Sequence, residues 1–339
     1  MTAAIDKTLY DVLEISPRAT KPVIEAAYKT LIKKYHPDKN KGDERIAKTL
    51  NEAKTILLND NKRKGYDKER QTFEGKIINN YQILERITEG RYGDIYKGEH
   101  LILKSPVCIK HCKNISPQDT DLFFSEAKVM WNLRHYGVPI VRDFFKFEDG
   151  TPGIVMSYIN GPTLEKIVEK NKQLDPEHVM WIAERTANIL KYLHYNGVIH
   201  GDVKPANIII QPENHMLVLV DYGFASIIPR ELEDVKGATL YYSAPEQRSG
   251  NIILPESDFY SLGMTMVYSL GGNVKTRTLP EKIPEPICDL IEWLTERDVD
   301  NRPHWDYEDL CEEIIDVRKQ VFGRTRSKMK PIPGFEMEG

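Results

Sequence analysis

The chain has 339 residues, 40% of them hydrophobic and 29% charged, with a formal net charge of −4. This is enough chain for two or three domains with sizeable cores, and the composition is that of a soluble globular protein, not a disordered or fibrous one. No apolar run approaches the roughly 18 residues of a membrane span, and residues 1–7 lack the apolar core of a secretory signal; the expectation is a cytoplasmic chain with no membrane partner.

The four cysteines, Cys108, Cys112, Cys288 and Cys311, are not spaced as metal-binding pairs and are expected as reduced thiols. Charge is unevenly spread. Residues 1–70 carry 16 Lys/Arg against 11 Asp/Glu, and the rest carry 31 against 40, so a basic module precedes an acidic body.

The basic module, residues 1–70, reads as all-α. Residues 8–15 place Leu9, Tyr10 and Leu13 on a short amphipathic turn that Ser16 and Pro17 break. Residues 21–35 bring Val23, Ile24, Ala27, Tyr28, Leu31, Ile32 and Tyr35 to one face at helical spacing. Lys21, Lys29, Lys33 and Lys34 lie opposite. The tripeptide His36-Pro37-Asp38 follows, where the proline pushes the residue before it out of helical geometry. After the polar loop 39–42, a second helix carries Ile46, Leu50, Ala53, Ile56 and Leu57 as its stripe. Asn59, Asp60 and Asn61 end it, and Arg63, Tyr66 and Asp67 close the module. No aromatics interleave with the lysines, so nucleic acid is not the expected partner.

These residues, together with Leu9-Tyr10-Asp11-Val12-Leu13 and Asn51-Glu52-Ala53, make the module resemble the J-domain of DnaJ-type co-chaperones over essentially its whole length. The resemblance implies that His36, Pro37 and Asp38, with the basic face of Lys29, Lys33 and Lys34, bind a DnaK-type ATPase chaperone and stimulate its hydrolysis. The lysines would steer the module toward an acidic surface.

Residues 71–78 read as a linker running into a lead strand. Two alternating strands follow, over residues 81–87 and 94–98, and between them lie Gly90 and Gly93, whose bare backbones let N–H groups approach phosphates. Residues 107–110 read as a buried strand ending in Lys110, and residues 122–133 as a helix carrying Glu126. Residues 154–159 form a further strand, after which the chain turns mainly helical. A helix over residues 181–195 delivers His200-Gly201-Asp202-Val203-Lys204-Pro205-Ala206-Asn207, which sets a carboxylate, an amine and an amide within six residues. Phosphoryl transfer needs those three groups: one to orient the attacking hydroxyl, one to screen the moving charge, one to hold a metal. Asp221-Tyr222-Gly223 follows an apolar strand.

In this order the motifs resemble those of Ser/Thr protein kinases over residues 79–322. The resemblance implies a multidomain chain, with the all-α J-domain followed by a two-lobed α+β fold: a β-rich small lobe and an α-rich large lobe. It implies ATP and Mg²⁺ as cofactors and a protein substrate. Asp202 becomes the catalytic carboxylate and Lys204 the γ-phosphate contact, with Asn207 and Asp221 as metal ligands and His200 packed beneath Asp221-Tyr222-Gly223. Gly90 and Gly93 cover the phosphates, and Lys110, paired with Glu126, contacts them. Ile95, Cys108 and Ile209 sandwich the adenine, with Met156 as gatekeeper and Tyr158 at the hinge. Thr239 bonds the catalytic Asp and Lys, Asp258 belongs to the central anchor helix, and Arg302 forms a buried ion pair with Glu246.

Three departures qualify the resemblance. Thr88 stands at the first glycine position of the phosphate loop. Gly201 replaces the arginine that usually grips a phosphorylated activation loop, and the segment from Asp221 to Glu246 is short, so activity without such phosphorylation is expected. The region where the family places a substrate-docking helix, before Pro284, is thin. Two other readings stay open: a small-molecule phosphotransferase, because His-Gly-Asp followed by Asn also occurs in aminoglycoside and choline kinase loops, and a co-chaperone scaffold with a pseudokinase body. The tail, residues 323–339, is rich in Gly, Pro and charge and is expected to be disordered.

Overall fold

The computed structural model describes residues 9–16, 19–35, 44–69, 73–89, 93–113, 117–147, 150–211, 215–227, 238–250 and 253–324. The expectations for His36, Pro37, Asp38, Gly90 and the tail beyond Arg324 fall outside these residues.

Among the described residues the N-terminal module has four helices: α1 (Leu9–Val12), α2 (Lys21–Lys34), α3 (Glu44–Leu57) and α4 (Asp60–Glu69). Leu9, Tyr10, Leu13, Ile24, Leu31, Leu50, Ala53 and Leu57 form its core, with Ala27, Tyr28, Ile32 and Tyr35 packed at its edge. Two stripe assignments are corrected. Val23 is exposed, because it lies about 100° round the helix from Ile24, off the centre of the stripe. Ile46 is exposed as well, and Ala47 takes the buried place beside it.

The sequence reading also missed α4. Asn59 does not merely end α3: its Oδ1 accepts from the amides of Asn61 and Lys62, both at 3.1 Å, and so caps a new helix. That helix aims Arg63 and Tyr66 at the start of the module. Arg63 donates to the Tyr10 hydroxyl at 3.0 Å and to the Ala19 carbonyl at 2.8 Å. The Tyr66 hydroxyl accepts from the Leu9 amide at 2.7 Å.

The small lobe of the body is one antiparallel six-stranded sheet of β1 (Ile77–Ile78), β2 (Tyr81–Glu89), β3 (Gly93–His100), β4 (Pro106–Cys112), β5 (Val141–Lys146) and β6 (Pro152–Ser157), in the order β1-β2-β3-β4-β6-β5. Helix α5 (Pro117–Trp131) packs on β4, β5 and β6. The expected linker is partly built into this lobe: Phe73 is buried against Tyr96, His111 and Phe147, and β1 pairs with β2.

The large lobe comprises α6 (Leu164–Asn171), α7 (Pro176–Tyr195), β7 (Val198–Ile199), a 3₁₀ turn (Pro205–Asn207), β8 (Ile208–Gln211), β9 (Met216–Leu219), β10 (Ser226–Ile227), α8 (Pro245–Arg248), α9 (Pro255–Ser269), α10 (Glu285–Leu294) and α11 (Leu310–Phe322). Helix α7 starts five residues earlier than its apolar pattern suggested, because Pro176 takes the first helical position and Asp175 accepts from the Glu177 amide at 2.9 Å. It packs on α9 and α11. Arg318 of α11 is buried and paired with Glu184 of α7. Order runs past residue 323, where the tail was expected to begin: Arg324 grips both oxygens of Glu177 at 2.7 and 2.6 Å.

Between α9 and α10 there is no helix. Residues 271–284 make a turn closed by Asn273 and Thr278, whose amides donate to each other's carbonyls at 2.9 and 3.3 Å. The four cysteines form no disulfide with one another. Among the described residues no helix is long and apolar enough to cross a membrane.

Candidate active site

Strand pairing sets the first cluster. β4 lies between β3 and β6, with Lys110 opposite Ile95 on one side and Ile154 on the other. Its side chain is buried and reaches both oxygens of Glu126 on α5 at 2.7 Å, and Oδ1 of Asp221 at 3.0 Å. Burial alone would lower the Lys110 pKa, but the Asp221 and Glu126 carboxylates outweigh it and hold the ammonium above its usual range. Lys110 in turn brings Asp221 down to about 2, so this carboxylate is ionised at any physiological pH. Asp221 has a left-handed backbone, φ 65°, a conformation costly for a residue with a Cβ; it turns the carboxylate toward Lys110.

The second cluster surrounds Asp202. Its Oδ2 accepts from the Lys204 ammonium at 2.6 Å and from Asn207 Nδ2 at 2.9 Å, and its Oδ1 accepts from the Thr239 hydroxyl at 2.5 Å. Lys204 also reaches Thr239 Oγ1, at 3.2 Å. Three donors therefore hold one buried carboxylate in a single orientation. The Thr239 hydroxyl shows how an incoming hydroxyl can donate to it. Asn207 spends its N–H groups on the Asp202 carbonyl, at 2.9 Å, and carboxylate, which leaves its amide oxygen as the available acceptor.

The loop that carries Asp202 hangs from α9. The buried Asp258 accepts from the His200 amide through Oδ2 and from the Gly201 amide through Oδ1, both at 2.8 Å. Asp258 Oδ2 lies 2.9 Å from Nε2 of His194, whose Nδ1 accepts from Trp305 at 2.8 Å. The indole is donor-only, so Nε2 is the nitrogen that donates to Asp258.

Gly201 has φ +73°, and a Cβ there would stand 2.8 Å from the Phe224 carbonyl oxygen. Its own carbonyl accepts from the buried Gln247 at 2.8 Å. The His200 ring packs edge-on to Tyr222, 4.7 Å between centroids, and burial lowers its pKa, so the imidazole is neutral there. The Tyr222 hydroxyl is buried with no hydrogen-bond partner among the described residues.

Farther out, Arg302 places NH1 and NH2 on the two oxygens of Glu246 at 2.8 and 2.9 Å, while Ser257 donates to Glu246 Oε1 at 2.7 Å. Arg302 also donates to the carbonyls of Glu296, Glu256 and Arg297, so its buried guanidinium is fully used. Cys108 faces the buried Met156, expected as gatekeeper, across the β4–β6 ladder. Lys97 lies over the Tyr158 ring, 5.2 Å from its centroid. Ile95 and Ile209 are half-buried, and Ile209 bridges to Thr163 at the start of α6. Gly93 is closed in by the His111 carbonyl, 2.4 Å from where a Cβ would sit.

The structure thus brings together Lys110, Glu126 and Asp221, and separately Asp202, Lys204, Asn207 and Thr239. Sequence reasoning missed the His194–Trp305 support of Asp258, the left-handed backbone at Gly201 and the Gln247 contact. Only the glycine itself signalled any of these. For a metal, the donors are one ionised carboxylate and one amide oxygen, and no group of three His, Cys, Asp or Glu gathers among the described residues. Such a set suits a hard cation that takes its remaining ligands from water and phosphate, as Mg²⁺ does. The Lys110 cluster also carries two carboxylates for one ammonium, an excess of negative charge that a divalent cation would offset.

Comparison with known proteins agrees with this geometry. Residues 81–315 match the family model described as protein kinase domain, and residues 8–67 match that described as DnaJ domain. The chain is 30% identical over 206 residues to serine/threonine-protein kinase PrkC of Bacillus subtilis, which covers 59% of this chain and 31% of that protein. It is 29% identical over 273 residues to the probable serine/threonine-protein kinase CPE1738 of Clostridium perfringens, covering 72% and 39%. It is 29% identical over 202 residues to serine/threonine-protein kinase PknA of Mycobacterium tuberculosis, covering 57% and 47%. The chain thus spans less than half the length of each of these relatives.

Proposed function

The chain belongs to the protein kinase family and carries a DnaJ domain ahead of its kinase body, and from that premise we propose that it transfers the γ-phosphoryl group of ATP to a serine or threonine of a protein, in the cytoplasm, while its J-domain recruits a DnaK-type chaperone. The observation that carries the reading is the Asp202 carboxylate, held by Lys204 and Asn207 with a hydroxyl already donating to it at 2.5 Å. A substrate hydroxyl donating in the same way would be oriented for attack, and Asp202 would accept its proton.

Lys204 supplies positive charge next to the transferring group. Lys110, kept protonated and oriented by Glu126, would bind the α- and β-phosphates, and Asp221 and Asn207 would hold Mg²⁺. Held there, Mg²⁺ would neutralise phosphate charge. Ile95, Cys108, Met156 and Ile209 offer apolar contact to a planar base, with Tyr158 at its edge, and Gly90 and Gly93 bring backbone close to the phosphates.

Gly201 supports activity that does not wait for activation-loop phosphorylation, because no arginine stands there to grip a phosphate. The J-domain reading rests on the DnaJ match and on the exposed lysines Lys29, Lys33 and Lys34, with His36, Pro37 and Asp38 as the expected contact.

The test incubates the purified chain with labelled ATP, Mg²⁺, a generic protein substrate and a DnaK-type chaperone, beside Asp202→Ala and His36→Gln variants. Protein labelling that disappears in Asp202→Ala is the expected result. Absence of labelling with chaperone ATPase still stimulated would make the body a pseudokinase scaffold. Transfer to a small alcohol or aminoglycoside but to no protein would make it a small-molecule phosphotransferase. Chaperone stimulation that survives His36→Gln would remove the J-domain role.

A further inference from the structure

The turn that stands between α9 and α10 carries chemistry of its own. Asn273 Oδ1 accepts from the amides of Lys275 and Thr276 at 2.9 and 3.3 Å, which tightens the turn and presents Lys275 and Arg277 from its tip. These two side chains line a cavity of about 420 Å³ together with Arg248 at the end of α8, Arg297 beyond α10, and Tyr241, Pro245, Ser249, Tyr260 and Val274. Four of these nine residues are cationic and none is acidic.

All four cations are exposed, and among the described residues none lies within 4.0 Å of a carboxylate oxygen, the separation of an ion pair. Arg277 spends one N–H on the Thr295 carbonyl at 3.1 Å, which anchors it while leaving its other donors. A neighbouring cavity of about 530 Å³ shares Arg277 and Arg297 and is also lined by Glu292 and Glu296, whereas Lys275 and Arg248 line only the first cavity. Like charges gathered without counter-charges repel one another, so this arrangement stores electrostatic cost that an anion would relieve. Two lining residues, Tyr241 and Arg277, also have left-handed backbones, with φ 73° and 59°, a strain that tends to collect at binding sites.

The position decides what kind of anion. Tyr241 is two residues from Thr239, whose hydroxyl marks the acceptor position on Asp202. Two residues of chain span at most about 7 Å. We propose that this basic pocket reads an acidic or phosphorylated side chain lying within about three residues of the acceptor hydroxyl in the protein substrate, and that it takes over part of the docking that a helix in this region would otherwise provide. Arg248, Arg277 and Arg297 would fork onto carboxylate or phosphate oxygens, and Lys275 would add a point charge. The inference rests on the protein-kinase reading and names its substrate class.

The test measures kcat/KM of the full chain on a set of single-serine peptides of one neutral backbone, in which an aspartate or a phosphoserine is walked through the three positions on either side of the acceptor. At one or more positions the anionic peptide is expected to exceed the neutral peptide by about tenfold, the scale of one charge-assisted hydrogen bond, with phosphoserine above aspartate if phosphate is the true ligand. In Lys275→Glu/Arg297→Glu, and more mildly in Lys275→Gln/Arg297→Gln, that ratio should collapse toward one.

If the neutral peptide is phosphorylated and no anion improves it, this proposal fails and the kinase reading stands. If no peptide is phosphorylated at all, fluorescence anisotropy of the labelled phosphoserine peptide decides: affinity lost in the charge-reversed variant, and competed by inorganic phosphate, upholds the pocket, and affinity unchanged by the substitutions overturns it.

Discussion

In the N-terminal module the charged groups of interest stand outside. Lys29, Lys33 and Lys34 are exposed on α2, and the core beneath them is built from Leu, Ile, Ala and Tyr. In the kinase body most of them stand inside: Lys110, Glu126, Asp202, Asp258 and Arg302 are buried beside the amide of Asn207, while Lys204 is half-buried and Asp221 is exposed. The module can therefore change its partner face without disturbing its fold, whereas in the body the groups that bear on chemistry are also groups whose loss leaves a buried charge or donor unpaired. The difference separates two kinds of functional residue: one that acts by steering and one that acts by being held.

Asp202→Asn tests the held kind most sharply, because it keeps the shape and removes the charge. Phosphotransfer is expected to fall about 10²–10⁴-fold, the usual worth of a general base, with a smaller drop in melting temperature, because an amide NH₂ cannot accept from the donors that now hold the carboxylate. An unchanged rate would break the comparison at its centre. Arg302→Met should cost about 3 kcal/mol, because the half-buried Glu246 is left without its cation; denaturant titration measures this, and a loss under about 1 kcal/mol would show that the pair is solvated after all.

For the steering kind, Lys29→Glu/Lys33→Glu/Lys34→Glu should lower affinity for a DnaK-type chaperone by about tenfold at low salt, with less effect at high salt. Thermal stability should move by no more than about 0.5 kcal/mol. A large loss of stability would mean that the face is structural. The smallest effect expected is a gain. Tyr222→Phe removes a buried hydroxyl that lacks a partner, and stability should rise by about 1 kcal/mol; a decrease would reveal a hydrogen bond to that hydroxyl.

The same division explains what could be read from the sequence. The body's motifs were legible because each sets a chemically distinct residue at a fixed spacing: Lys110 at the end of an apolar strand, Asp202, Lys204 and Asn207 in one loop, Asp221 after another strand. In the structure the chain folds these into two clusters. The supports were not legible, since His194, Trp305 and Gln247 are far from the loop in sequence and carry no local signal of their contacts. In the module, helical periodicity located α2 and α3, but it put Val23 and Ile46 inside the core because it weighs residue type without knowing where the neighbouring helices lie. Helix α4 was hidden because its polar sequence has no apolar stripe; only the Asn59 cap and the two inward residues, Arg63 and Tyr66, betray it.

Asp258 gives the loop that carries Asp202 a property that loops seldom have. Its carboxylate takes the amide protons of His200 and Gly201, and it stands in α9, where nearly every residue is buried. Those two loop amides can meet solvent deuterium only when the anchoring helix itself gives way. In a hydrogen-exchange experiment they should therefore exchange on the timescale of the large lobe's core rather than of its surface, so that the loop carrying Asp202 is, by this clock, among the slowest parts of the body to open.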